Sequence, residues 1–89
     1  MRTGEKERIF KALGDSNRVE IMDLIKDGEL SAGRILNKIQ MGQSTLSHHM
    51  KILCDCGIVN ARKESRWVYY SINKETVKEV MAFMDEWLK

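Results

Sequence analysis

The reactive side chains of this sequence crowd into one short stretch. In "QSTLSHHMKILCDC", residues 43–56, two histidines, His48 and His49, precede two cysteines, Cys54 and Cys56. Imidazole and thiolate are the usual ligands of zinc, and a Cys–His pair can also form an activated nucleophile. Either chemistry requires the groups to converge on one point. On a helix, ligands share a face only at spacings of three or four residues. His48 and His49 instead diverge by about 100° and the two cysteines by about 160°. The best-aligned mixed pair, His49 and Cys56, is about 10 Å apart along the axis at 1.5 Å per residue. One zinc ion with bonds near 2 Å cannot span that gap, and no nearby third group would orient a nucleophile. The sequence therefore predicts neither a metal centre nor an enzyme, and calls for no cofactor. Cys54 and Cys56 remain candidate redox residues, although a C-x-C pair at a helix end bridges poorly.

The same stretch reads differently as a surface. Leu46, Met50 and Leu53 fall within about 60° of one another and make an apolar seam. Ser44, Ser47, His48 and Lys51 spread over about 100° on nearly the opposite side. That outer face is small, polar and free of carboxylates. It can approach base edges without bulk and without repelling phosphate. Gln43 and Thr45 stand at the N-terminal end, where recognition helices touch bases. His48 faces outward with this set, whereas His49 points to the edge of the seam and is a packing residue.

The elements that must hold this helix follow from punctuation and periodicity. The chain has 89 residues, no proline and a formal net charge of +2. It is rich in strong helix formers, so a mainly helical single domain over 1–89 is expected. Helices are predicted at about 3–13, at about 16–26 and from Ser31 to about Ile39. The helix over 43–55 follows, and a last one runs from Asn73 to about 88. In the second helix Asp15 or Ser16 can cap, with Asn17 and Glu20 spaced for a capping box. "QMGQ" is the turn before the fourth helix, and Gly57 ends that helix. "IVNARKESRWVYYSI" changes to β-branched and aromatic residues around a polar turn at Glu64–Ser65, which is a hairpin. Trp67, Tyr69 and Tyr70 are expected to pin that hairpin to the body. The order ααααββα describes a winged helix-turn-helix.

Charge follows the same division. Residues 43–72 carry four cations, Lys51, Arg62, Lys63 and Arg66, against only Asp55 and Glu64. Arg62, Lys63 and Arg66 lie on the hairpin, where a wing would meet the phosphate backbone. A chain this short buries only about 60–65% of its unfolded surface, yet the last helix carries Val77, Val80, Met81, Met84, Trp87 and Leu88. With Ile9, Phe10 and Leu13 of the first helix, these are the candidate dimer interface. Segments 3–13 and 73–88 are the expected dimerisation helices. No run of 18 apolar residues is present, "MRTGEKERIF" lacks the apolar region of a secretory signal, and a cytoplasmic location is expected.

The segments "KALGDSNRVEIMDLI", "GELSAGRILNKI", "QSTLSHHMKIL", "CGIV" and "RKESRWVYYSI", followed by an amphipathic helix, resemble the ArsR/SmtB family of winged-helix repressors in the family's own order. The resemblance implies a homodimer joined through its first and last helices. It also implies double-stranded operator DNA with dyad symmetry and repression relieved by an effector. It places Gln43, Ser44, Thr45, Ser47 and His48 on the DNA-reading helix and Arg62, Lys63 and Arg66 on the wing. The family's arsenic and cadmium sensors place cysteines after "GEL", where this chain has Ser31 and Gly33. Its zinc and nickel sensors use histidines of the last helix, and here there are none. A lead and cadmium branch uses cysteines near the end of the reading helix. Cys56 matches one of those positions, and Ile52 stands at the other. The chain is closer in type to short metal-independent members, one of which is released by a sequestering membrane protein. The alternatives are a repressor responding to thiols or metals through Cys54 and Cys56, and a winged-helix protein–protein module.

Overall fold

A computed structural model describes residues 1–89. It contains α1 (Thr3–Leu13), α2 (Ser16–Leu24), β1 (Leu30–Ser31), α3 (Ala32–Lys38) and α4 (Gln43–Asp55). Then come β2 (Val59–Glu64), β3 (Trp67–Ile72) and α5 (Lys74–Asp85), which closes in a 3-10 turn at Glu86–Leu88. The strands form one antiparallel sheet in the order β1-β3-β2. The fold is the expected mainly helical winged helix-turn-helix, with α3 and α4 as the helix pair and β2–β3 as the wing.

Each boundary has a local cause. The Asp15 carboxylate accepts hydrogen bonds from the backbone N–H groups of Asn17 and Arg18 at 2.9 and 3.3 Å. Asp15 therefore caps α2 by itself, and the capping box expected between Asn17 and Glu20 does not form: the helix begins two residues too early for it. Ser31 caps α3 through the N–H of Arg34, and Asn73 caps α5 through that of Thr76. After α4, Gly57 takes φ +86°, in the left-handed region, and its N–H bonds the Cys54 carbonyl. The glycine thereby stops the helix. The hairpin pairs Glu64 with Trp67, so its turn is Ser65–Arg66, one residue beyond the expected position. Ser65 holds the positive φ of +57° that this tight reversal demands.

Two-residue β1 has no counterpart in the sequence pattern. Leu30 and Ser31 pair with Tyr70 and Tyr69, which ties the wing to the segment entering α3. Ser31 serves both as strand residue and as helix cap.

The core is one cluster: Ile9 and Ala12 of α1, Ile21 and Ile25 at α2, Ile35 and Ile39 at α3, Leu46, Met50 and Leu53 of α4, and Ile58 and Val59 entering the wing. The apolar seam of α4 is thus its inner face, held by α1, α2 and α3. α5 contributes no fully buried residue, and Val77 and Val80 only flank the cluster. No helix is long and apolar enough to cross a membrane.

Asp15 gives the stability of α2 an acid limit. Its carboxyl is desolvated, which opposes ionisation. The backbone bonds from Arg18 and Asn17 and the nearby Arg18 and His49 outweigh that and hold it below its usual 3.8. Its contribution is therefore complete above the unfolded-state value and is lost as pH falls through the lower folded one. Thermal melts between pH 6 and pH 2.5 should show a flatter acid limb in Asp15→Asn, which caps without titrating. Matching limbs in both proteins would remove Asp15 as the cause.

Candidate nucleic-acid interface

α4 presents two chemically distinct faces. Gln43, Ser44, Thr45, Ser47, His48 and Lys51 are all exposed, while Leu46, His49, Met50 and Leu53 are buried. The adjacent histidines divide as expected: His48 lies in solvent, and His49 is 7% exposed. The Nδ1 of His49 lies 3.1 Å from Nη1 of Arg18. A guanidinium only donates, so the Nδ1 of His49 is the acceptor in this contact. Arg18 also donates from Nε to the Ala12 carbonyl at 2.6 Å, which connects α4 to the end of α1.

The N-terminal half of α4 shares a groove of about 280 Å³ with α3 and the wing. Gln43 and Ser47 of α4, Gly33 and Leu36 of α3, and Arg66 and Trp67 of the wing all line it. The fold thus brings the first turns of α4 and the wing tip into one continuous surface. Trp67 corrects the expectation that it pins the hairpin: it is 53% exposed, beside Arg66. Strand alternation puts it on the same side as Tyr69 but cannot say what lies opposite. Tyr70 does pack against the core, and burial pushes its phenol above 10.0.

The wing cations are not equivalent. Lys63 and Arg66 are exposed and make no ion pair. Arg62 is clamped: its Nη2 and Nε donate to the two carboxylate oxygens of Glu29 at 2.7 and 3.0 Å, and Nη1 bonds Glu64. Its guanidinium also lies 4.6 Å from the Tyr69 ring centroid. The hydrogen bond from Arg62 holds the Glu29 carboxyl below its usual 4.5, and the two carboxylates raise Arg62 above its own range. Arg62 is therefore held between two carboxylates, whereas Lys63 and Arg66 are free of them. Lys51 pairs with Asp55 at 2.9 Å, but both are well exposed, so that pair is screened and easily exchanged.

The thiols are free and half-buried. Burial, with Asp55 and Cys56 nearby, raises the Cys54 thiol above 9.0, the opposite of an activated cysteine. Cys56 donates to the Leu53 carbonyl at 3.3 Å. No three His, Cys, Asp or Glu side chains converge as a metal site would require.

The candidate dimer residues divide as well. Met81, Met84, Trp87 and Leu88 are 64, 42, 64 and 85% exposed, and Phe10 is 38% exposed. Phe10, Phe83 and Trp87 form an aromatic row with centroids 6.3 and 5.1 Å apart. Ile9, grouped with them from the sequence, is 1% exposed and is spent in the protomer's own core. Leu13, Val77 and Val80 are half-buried against that core.

A helix pair with an open polar ridge, flanked by a cationic wing, defines a winged helix-turn-helix domain. Residues 15–61 match the model of the bacterial regulatory proteins of the arsR family. The chain is 42% identical over 79 residues to the uncharacterized HTH-type transcriptional regulator MJ1325 of Methanocaldococcus jannaschii, covering 88% of this chain and 89% of that one. It is 30% identical over 76 residues to the transcriptional repressor SdpR of Bacillus subtilis, covering 85% and 84%. Among solved structures it is similar to Mb0332 of Mycobacterium bovis, described as a homodimeric winged helix-turn-helix DNA-binding domain. The TM-score is 0.79 at 32% identity, over 92% of this chain and 76% of that one. The chain belongs to the arsR family.

Proposed function

We propose that the chain is a cytoplasmic, homodimeric transcriptional repressor that binds operator DNA of dyad symmetry. One observation carries this reading: the exposed ridge of α4 holds small hydrogen-bonding side chains and no carboxylate before Asp55, and it shares a groove with Arg66 and Trp67. Two such ridges set about 34 Å apart would enter successive major grooves. A mobility shift with the DNA just upstream of the chain's own gene tests it. A discrete complex that resists nonspecific competitor is expected. Binding that is equal on every sequence would overturn the reading and favour a protein–protein module.

Base readout belongs to Ser47 and His48. Ser47→Ala and His48→Ala should each cost about 1–3 kcal/mol on the operator and almost nothing on unrelated duplex. Equal losses on both would remove these residues from base recognition.

With Arg62 clamped, Lys51, Lys63 and Arg66 supply three phosphate contacts per subunit. Six in the dimer give a log–log salt slope of roughly −5. Glu29→Gln weakens the clamp and should steepen the slope by about 1–2, as Arg62 of each subunit becomes available. A slope near −2 in the parent protein would show that the wing does not reach the backbone. An unchanged slope in Glu29→Gln would show that Glu29 is not what withholds Arg62.

A further inference from the structure

Beside the ridge, at the C-terminal end of α4, a second cleft of about 350 Å³ opens between that end, α1 and α2. Three cations line it, Arg8, Lys11 and Arg18, with one carboxylate, Asp55, and with Ala12 and Ile52 as an apolar wall. Asp55 also pairs with Lys51 at 2.9 Å, and Lys11 pairs with Glu7 at 3.0 Å. Arg18, only 14% exposed in its side chain, has Asp15 as its one carboxylate neighbour, at 3.9 Å. Arg8 has no ion pair at all; its Nη2 donates to the Asp55 carbonyl at 2.9 Å, and its other N–H groups bond nothing within the chain. A cleft lined by three cations, one of them largely buried, against a single lining carboxylate favours an anion. Its size suits a small ligand.

Both guanidiniums also hold α4. Arg8 grips its last carbonyl, and Arg18 grips His49 in its middle. We propose that this cleft binds a small organic anion, its negative head between Arg8 and Arg18 and a short apolar body against Ala12 and Ile52. Occupancy draws Arg8 away from the Asp55 carbonyl and loosens the seat of α4, so operator affinity falls. The effect on DNA rests on the repressor reading; binding in the cleft does not.

Benzoate is the probe, titrated at constant ionic strength against chloride. Saturable amide shifts are expected in the 15N-labelled protein at Lys11, Ala12, Arg18, Asp55 and Cys56. Arg8→Ala, an exposed position, should weaken them at least tenfold. Shifts that never saturate, that centre on Lys63 and Arg66, or that survive in Arg8→Ala overturn the site. At saturation the operator Kd should rise at least fivefold in the parent protein and less than twofold in Arg8→Ala. A saturated cleft with unchanged operator affinity would overturn the coupling. Failure to bind operator without benzoate would instead count against the repressor reading and leave the shift assay to decide the site.

Discussion

The double variant Met81→Glu, Trp87→Glu is expected to be a folded monomer whose operator affinity is at least about 100-fold below the parent's. Both side chains are 64% exposed in the protomer, so within one chain glutamate there gives up only the edge contact of Trp87 with Phe83. Burying a carboxylate in an apolar seam costs several kcal/mol unless it is paired. A two-fold axis doubles every such charge. One ridge alone makes half the contacts and loses the fixed spacing between half-sites, which accounts for the drop in affinity. Sedimentation at micromolar concentration and an operator titration check the two halves separately. A persisting dimer would move the interface away from α5. A monomer that still binds operator with full affinity would end the proposal that two copies are needed.

The second large effect is on stability. Arg18→Met should lower the unfolding free energy by about 2–4 kcal/mol, with the urea m-value unchanged. A domain of this size has only about 5–13 kcal/mol in total. The guanidinium bonds the Ala12 carbonyl at 2.6 Å and His49 at 3.1 Å, with Asp15 at 3.9 Å. Methionine fills much of the same space and leaves a half-sealed carbonyl and the His49 Nδ1 without a donor. Arg18→Lys should recover little, because one ammonium cannot reproduce a planar fork that reaches several acceptors. A loss below about 0.5 kcal/mol in Arg18→Met would show that water replaces the guanidinium at no cost.

Local rules made much of this molecule legible. The bounds of α1 and α4, the caps at Ser31 and Asn73, and the opposite fates of His48 and His49 follow from spacing, because each is decided within one or two helical turns. What escaped depends on residues distant in sequence. Glu29 and Arg62 are 33 positions apart, and nothing near either announces the pair that neutralises a wing cation. β1 is two residues long and takes its hydrogen bonds from β3, so it has no periodicity of its own. Trp67 looked like an anchor because strand alternation fixes its side but not what lies across from it. Ile9 looked like interface because an amphipathic helix does not reveal which of two partners, its own core or a second copy, will cover it. The cleft at Arg8 and Arg18 is of the same kind: three elements from both halves of the chain must meet before it exists.

Ser31 links the wing to the body more tightly than a flexible arm would be. It sits in β1 opposite Tyr69 and at the same time caps α3. Peeling the hairpin outward would unzip that short ladder and strip the first turn of α3 of its hydrogen-bond acceptor together. The two costs coincide at one residue, so the hairpin and the first helix of the helix-turn-helix pair travel as a unit, and a strain applied at the tip is felt in the interior rather than absorbed at a hinge.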